Sequence, residues 1–170
     1  LTGLDNFGQF RRRALAQLIV AKKRGAPEAI SLISIDVDHF KRINDEYGHF
    51  VGDKALKKIA EVMNSHMRPT DIYCRKSGDE FLIILPDNAE AASVRGEELK
   101  KAVEEAHITN QSGFLQVRFE ISFGVAEIRH EEIVDPSKAL DQIIGFADTG
   151  RNGLYAKRKA ERGGTEIETR

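Results

Sequence analysis

Ser34-Ile35-Asp36-Val37-Asp38-His39-Phe40-Lys41-Arg42-Ile43-Asn44-Asp45-Glu46-Tyr47-Gly48-His49 runs from an apolar strand into a polar loop, and the fold turns on that passage. The strand begins upstream at Ala29 and reaches Val37, dense in the β-branched and aliphatic residues that a buried pleated surface favours. Asp36 therefore falls at its C-terminal end. A carboxylate there is costly unless it is solvated, hydrogen-bonded or metal-bound. Taken alone, Asp36 reads as a loop-capping residue. Asp38 shares its strand parity but lies roughly 6.6 Å further along an extended chain, too far to grip one ion easily while the strand continues, so Asp38 reads as a cap.

On the N-terminal side, Phe7, Phe10, Ala14, Leu18 and Ala21 recur at three- and four-residue steps, the stripe of a helix that Gly25-Ala26-Pro27 ends. On the C-terminal side, Asp53 opens a second helix whose stripe is Leu56, Ile59, Ala60, Met63 and Met67. Ile72–Lys76 and Glu80–Leu85 read as strands on either side of Ser77-Gly78-Asp79, a hairpin turn. Asp87 with Glu90 resembles a capping box for a helix running through Leu99, Val103 and Ala106. A polar loop at Asn110-Gln111-Ser112-Gly113, a long strand from Leu115 to Ile128 and a helix started by Asp135-Pro136 complete the order. Helix, strand, helix, hairpin, helix, strand, helix is an α+β layer architecture, without internal repeat or linker, and reads as one domain over 1–170.

This order places acidic residues at two points that can meet. If the hairpin lies beside the first strand, Asp36 and Asp79 converge, and two carboxylates with a backbone carbonyl form a hard-oxygen site suited to Mg²⁺. Other chemistries lack their motifs. There is no Gly-x4-Gly-Lys phosphate loop, His130-Glu131-Glu132 lacks a second zinc-protease histidine, and no Gly-x-Ser-x-Gly elbow supports acyl transfer. His39 and His49 read as loop or surface residues.

The chain has 170 residues, 41% hydrophobic and 31% charged, enough to bury roughly 70% of its unfolded surface without staples. Its formal charge of −1 argues against a DNA or RNA polymer as partner. That neutrality is a cancellation: residues 7–27 carry six basic and no acidic side chains. The single cysteine, Cys74, makes the cytoplasm the default expectation. No apolar run approaches the roughly 18 residues of a membrane span, so direct membrane contact from this domain is not expected. A start at Leu1 suggests a domain excised from a longer multidomain protein, in which an upstream sensor or anchor could stand.

Leu1-Thr2-Gly3-Leu4, Asp36-Val37-Asp38-His39-Phe40-Lys41, Asn44-Asp45, Gly48-His49, Gly52-Asp53 and Arg75-Lys76-Ser77-Gly78-Asp79-Glu80-Phe81 together resemble the GGDEF family of bacterial diguanylate cyclases. The resemblance spans nearly the whole chain. It implies a palm-like nucleotidyl-cyclase fold, a central antiparallel-containing sheet flanked by helices, and condensation of two GTP to cyclic di-GMP with release of pyrophosphate. It further implies Asp36, the Val37 carbonyl and Asp79 as ligands of Mg²⁺ or Mn²⁺. Glu80 then assists metal binding or deprotonation of the attacking 3′-hydroxyl, so that Asp79, Glu80 and Asp36 are the catalytic set.

By the same resemblance, Phe40, Lys41 and Gly78 meet the triphosphate, and Asn44 and Asp53 read guanine. An Asp facing the guanine N1 and N2 donors rejects adenine. The residues themselves also allow loop hydrogen bonding for Asn44 and helix N-capping for Asp53. Near the C-terminus, anchoring on Tyr155 puts Arg158 and Arg162 at the family's phosphate-binding positions, with Lys157 the neighbouring candidate. Arg68-Pro69-Thr70-Asp71 occupies the place of the family's product-inhibition motif, with Arg68 and Asp71 as cyclic di-GMP ligands. Catalysis is implied to need a homodimer.

Three departures stand out. Ser77 replaces the first glycine of the signature, which matters only if the position needs φ > 0. Asn6-Phe7-Gly8 stands where the family carries Asn-Arg-Arg, and Leu99 stands where many members add an inhibitory-site arginine, with Arg95 one turn earlier. A catalytically inactive domain that binds GTP or cyclic di-GMP and regulates an attached domain is the rival reading.

Overall fold

The computed structural model describes residues 1–109, 116–150, 155–158 and 167–169. Strand β2 (Ala29–Val37) is the centre of the molecule. It pairs antiparallel with β4 (Glu80–Leu85) on one side and with β7 (Ile121–Arg129) on the other. With neighbours on both edges and helices on both faces, every second residue has apolar surroundings whichever way it points, which explains the near-continuous apolar run. Strand β3 (Ile72–Ser77) extends the sheet beyond β4, and the two-residue β1 (Asp5–Asn6) pairs parallel to it. The order across the sheet is β1-β3-β4-β2-β7-β8-β9, where β8 is Tyr155–Arg158 and β9 is Ile167–Thr169. A separate two-stranded piece joins β5 (Ile108–Thr109) to β6 (Gln116–Val117).

Alternation along β2 divides the core in two. Ile30 and Leu32 face helices α1 (Phe7–Arg24) and α5 (Pro136–Thr149), packing with Phe10, Leu18, Leu140 and Ile143. Ile33, Ile35 and Val37 face the other side, packing with Leu56 and Ile59 of α3 (His49–His66) and Leu99 of α4 (Ala89–Glu105). Gly96 lets α4 lie close to the sheet, since a Cβ there would stand 2.3 Å from the Phe123 ring.

The α+β expectation holds, with local corrections. The polar stretch after β2 is a helix, α2 (Phe40–Tyr47), in which Ile43 is the one buried residue, too little to write a two-turn stripe. Gly48, at φ 82°, breaks α2 from α3, so α3 begins at His49 and Asp53 lies within it, exposed, rather than capping it. Helix α4 is capped by Asn88, whose side chain accepts from the Ala91 N–H, while Asp87 pairs with Arg68 instead. The long strand expected from Leu115 is two pieces, with Arg118–Glu120 belonging to neither strand between β6 and β7. Asn110–Gly113 and Leu115 lie outside the described residues. Among the described residues no helix is long and apolar enough to cross a membrane.

Candidate active site

The C-terminal end of β2 and the hairpin between β3 and β4 meet. Asp36 stands directly opposite Glu80 in the β2–β4 register and opposite Ser122 in the β2–β7 register. One residue on, the Val37 N–H donates to the Asp79 carbonyl at 3.3 Å. That bond marks Val37 and Asp79 as facing each other across the end of the ladder, so the Val37 carbonyl points toward the hairpin tip. The tip is a two-residue turn, Gly78-Asp79, with Gly78 at φ 45° and its carbonyl accepting from Arg75 Nε at 2.7 Å. Ser77 is not among the positive-φ residues, so its side chain brings no backbone strain. Asp38 extends the pairing: its N–H donates to the Glu120 carbonyl and its Oδ1 accepts from Ser122 Oγ at 2.6 Å.

A β-bulge interrupts β3 between Arg75 and Ser77, leaving Lys76 as the extra residue. Ser77 Oγ donates to Glu80 Oε2 at 2.8 Å, and Lys76 Nζ lies 3.5 Å from the same oxygen. Lys76 also donates to Asp148 Oδ2 at 2.9 Å, whose Oδ1 accepts from Ser34 Oγ at 2.5 Å. The last turn of α5 is thereby tied to the hairpin. Sequence reasoning did not find Lys76 or Asp148, because nothing short of the bulge shows that their side chains meet.

Helices α2 and α3 form the second wall. Asn44 of α2 lies against Gly52 of α3, where a Cβ would stand 2.0 Å from Asn44 Oδ1 and 3.3 Å from Phe40 Cζ. The glycine is thus a space requirement of the Asn44 carboxamide. Asp53 follows it on α3, and Phe40 and Lys41 form the first turn of α2, where free N–H groups favour anions. His39 precedes them at φ 54°, exposed like His49.

The donor set at the β2–hairpin junction is carboxylate and carbonyl oxygen, which suits Mg²⁺ or Mn²⁺ and not zinc. Among the described residues no three His, Cys, Asp or Glu side chains form a ready-made metal cage. Two carboxylates nonetheless fit Mg²⁺, which ordinarily fills its shell with water and substrate phosphates rather than an all-protein cage.

Arg68 and Asp71 sit at the other end of the hairpin. Asp71 is buried and accepts from the Arg68 N–H at 2.7 Å, while the Arg68 guanidinium reaches Asp87 at 3.2 Å. They line a cavity of about 230 Å³ with Leu4, Asp5, Arg13 and Tyr73. Leu99 is buried in the core, and Arg95 is turned to the His66 carbonyl and Glu98. Arg158 ends β8, which pairs parallel with β7 at Val125 and Ala126. That segment is a strand and not a continuation of α5, which stops at Thr149. Arg162 lies outside the described residues.

A central antiparallel β2–β4–β7 core with acidic residues at the β2 end and on the adjoining hairpin defines a palm-like nucleotidyl-cyclase domain. Residues 1–162 match the family model "Diguanylate cyclase, GGDEF domain". The chain belongs to the GGDEF diguanylate cyclase family. Among its relatives, the response regulator PleD of Caulobacter vibrioides is 37% identical over 92% of this chain and 35% of its own length. Diguanylate cyclase DgcS of Shewanella oneidensis is 36% identical over 75% of this chain and 40% of its own. This chain therefore spans little more than a third of these curated relatives. Among solved structures, diguanylate cyclase SiaD of Pseudomonas aeruginosa, in complex with its activator SiaC, matches with TM-score 0.71 at 32% identity, over 88% of this chain and 54% of that one. The GGDEF domain of DgcB from Caulobacter crescentus, in complex with c-di-GMP, shares the fold with TM-score 0.78 at 24% identity, over 92% of each chain.

Proposed function

We propose that this chain is the catalytic domain of a diguanylate cyclase. The observation that carries the reading is the register at the end of β2, with Asp36 opposite Glu80 and Val37 bonded to Asp79. Asp36, Asp79 and the Val37 carbonyl hold Mg²⁺, with Mn²⁺ an alternative. The ion, when bound, neutralises the triphosphate and acidifies the attacking hydroxyl. Glu80 assists in holding it or accepts the 3′-hydroxyl proton. Phe40 and Lys41 offer backbone N–H groups and one ammonium to the phosphates, and Gly78 allows close approach at the hairpin tip. Asn44 and Asp53 read guanine; Arg158 and Arg162 supply further phosphate contacts.

Each subunit of a homodimer holds one GTP. The 3′-oxygen of each nucleotide forms a bond to the other's α-phosphorus as the bond to pyrophosphate breaks. Two such displacements give one cyclic di-GMP, two pyrophosphates and two protons. Arg68 and Asp71 bind the product and restrain the enzyme. Leu99 cannot add an arginine from inside the core, so the grip is weaker than a three-residue site gives. The domain works in the cytoplasm as part of a longer protein that brings two copies together.

The test is pyrophosphate release from GTP and Mg²⁺ by the domain fused to a dimerising coiled coil. Turnover supports the enzyme. GTP binding without turnover in an intact dimer overturns it in favour of the receptor.

A further inference from the structure

We infer that Ser77 and Lys76, the two residues that open the signature hairpin, are positioning residues for Glu80, holding its Oε2 in a two-donor clamp. The inference rests on the cyclase reading and adds to it a role for residues that reading leaves idle. Ser77 Oγ lies 2.8 Å and Lys76 Nζ 3.5 Å from that oxygen. Both donors come from one side because the bulge at Lys76 sends consecutive residues of β3 to the same carboxylate, which regular alternation forbids.

The clamp has its own anchor. Lys76 is held at 2.9 Å by Asp148 of α5, and Asp148 is held at 2.5 Å by Ser34 of β2. Lys76, Glu80 and Asp148 side chains are 21%, 22% and 23% exposed, so solvent screens these pairs less than it does ordinary surface pairs. A Glu side chain has three rotatable bonds, and a reacting carboxylate must be held to within a fraction of an ångström. One charge-assisted hydrogen bond from Ser77 and one ion pair from Lys76 converge on a single oxygen and restrict its torsions from the side of the sheet that carries α5. A glycine at position 77 has no hydroxyl to donate. The serine is therefore a functional substitution, and Lys76 links the hairpin to the helix that packs beneath it.

The test is steady-state kinetics of the dimer-fused domain carrying Ser77→Ala, Ser77→Thr, Lys76→Met or Lys76→Arg, with melting temperatures as a folding control. Ser77→Ala and Lys76→Met are expected to lower kcat about tenfold, the scale of one lost bond to a charged group, with KM for GTP within twofold. Ser77→Thr restores the hydroxyl and the rate, and Lys76→Arg restores part of it. Unchanged kcat in both Ser77→Ala and Lys76→Met, with an active parent, overturns the clamp and leaves the cyclase reading standing. A parent that makes no product overturns the cyclase reading itself. Losses that track melting temperature, or that the conservative variants fail to restore, overturn the positioning role.

Discussion

Replacing Gly52 by alanine tests the guanine wall at one atom. The new Cβ would stand 2.0 Å from Asn44 Oδ1, whereas non-bonded carbon contacts settle at about 3.5 Å. Gly52 lies inside α3 at an ordinary helical conformation, so the helix accepts alanine, and the Asn44 carboxamide must retreat by about 1.5 Å. Hydrogen bonds tolerate only about 0.5 Å of heavy-atom variation, so if Asn44 reads guanine as proposed, its bond to the base would be lost. Losing one buried neutral bond costs about 1–3 kcal/mol, which raises KM for GTP roughly 5- to 150-fold. Discrimination between GTP and ITP, which lacks the N2 amino group, narrows with it. The assay is initial rates against nucleotide concentration, with far-UV circular dichroism to confirm folding. A folded Gly52→Ala domain with parental KM for GTP refutes the placement of guanine against Asn44.

Gly96→Ala is the structural counterpart, since its Cβ meets the Phe123 ring at 2.3 Å and that ring is packed in the core. Urea denaturation is expected to show a loss of about 1–3 kcal/mol, with parental KM for GTP in the folded fraction. Burial pushes the Cys74 thiol up to about 12. The folded state then keeps a proton that the unfolded chain releases above about pH 9, so Cys74 subtracts about 1.4 kcal/mol of stability per pH unit from there to 12. Cys74→Ala should flatten that alkaline slope, and an equal slope in both proteins contradicts the burial argument. Arg68→Ala should weaken cyclic di-GMP binding by calorimetry at least tenfold; an unchanged isotherm removes the Arg68–Asp71 site.

What sequence reading captured follows from how the information is written. Helices α1, α3 and α5 each bury a stripe such as Phe10, Ala14, Leu18 and Ala21, and strand β2 is buried on both faces, so periodicity identifies them. Helix α2 escaped because Ile43 alone is buried, too little to write an apolar stripe. Asp53 reads in sequence as a cap because Gly48, a backbone break with no side chain, performs the separation. Asp36, Asp79 and Glu80 were legible because a strand end and a hairpin tip are local features. The convergence of Lys76, Ser77, Glu80 and Asp148 was not, since it depends on a one-residue bulge and on Asp148 of α5, which lies 68 residues beyond Glu80 in the chain. Serine at position 77 reads in sequence as a lost glycine; in the fold it is a hydrogen-bond donor.

The central claim is that the β2–hairpin junction joins two GTP molecules, and the mass of the nucleotide product tests it most directly. The dimer-fused domain incubated with GTP and Mg²⁺ is predicted to yield cyclic di-GMP with two pyrophosphates per molecule, and Asp79→Ala is predicted to yield none. Cyclic GMP as the product, cyclic di-GMP formation undiminished by Asp79→Ala, or bound GTP recovered intact from the folded dimer would contradict the account.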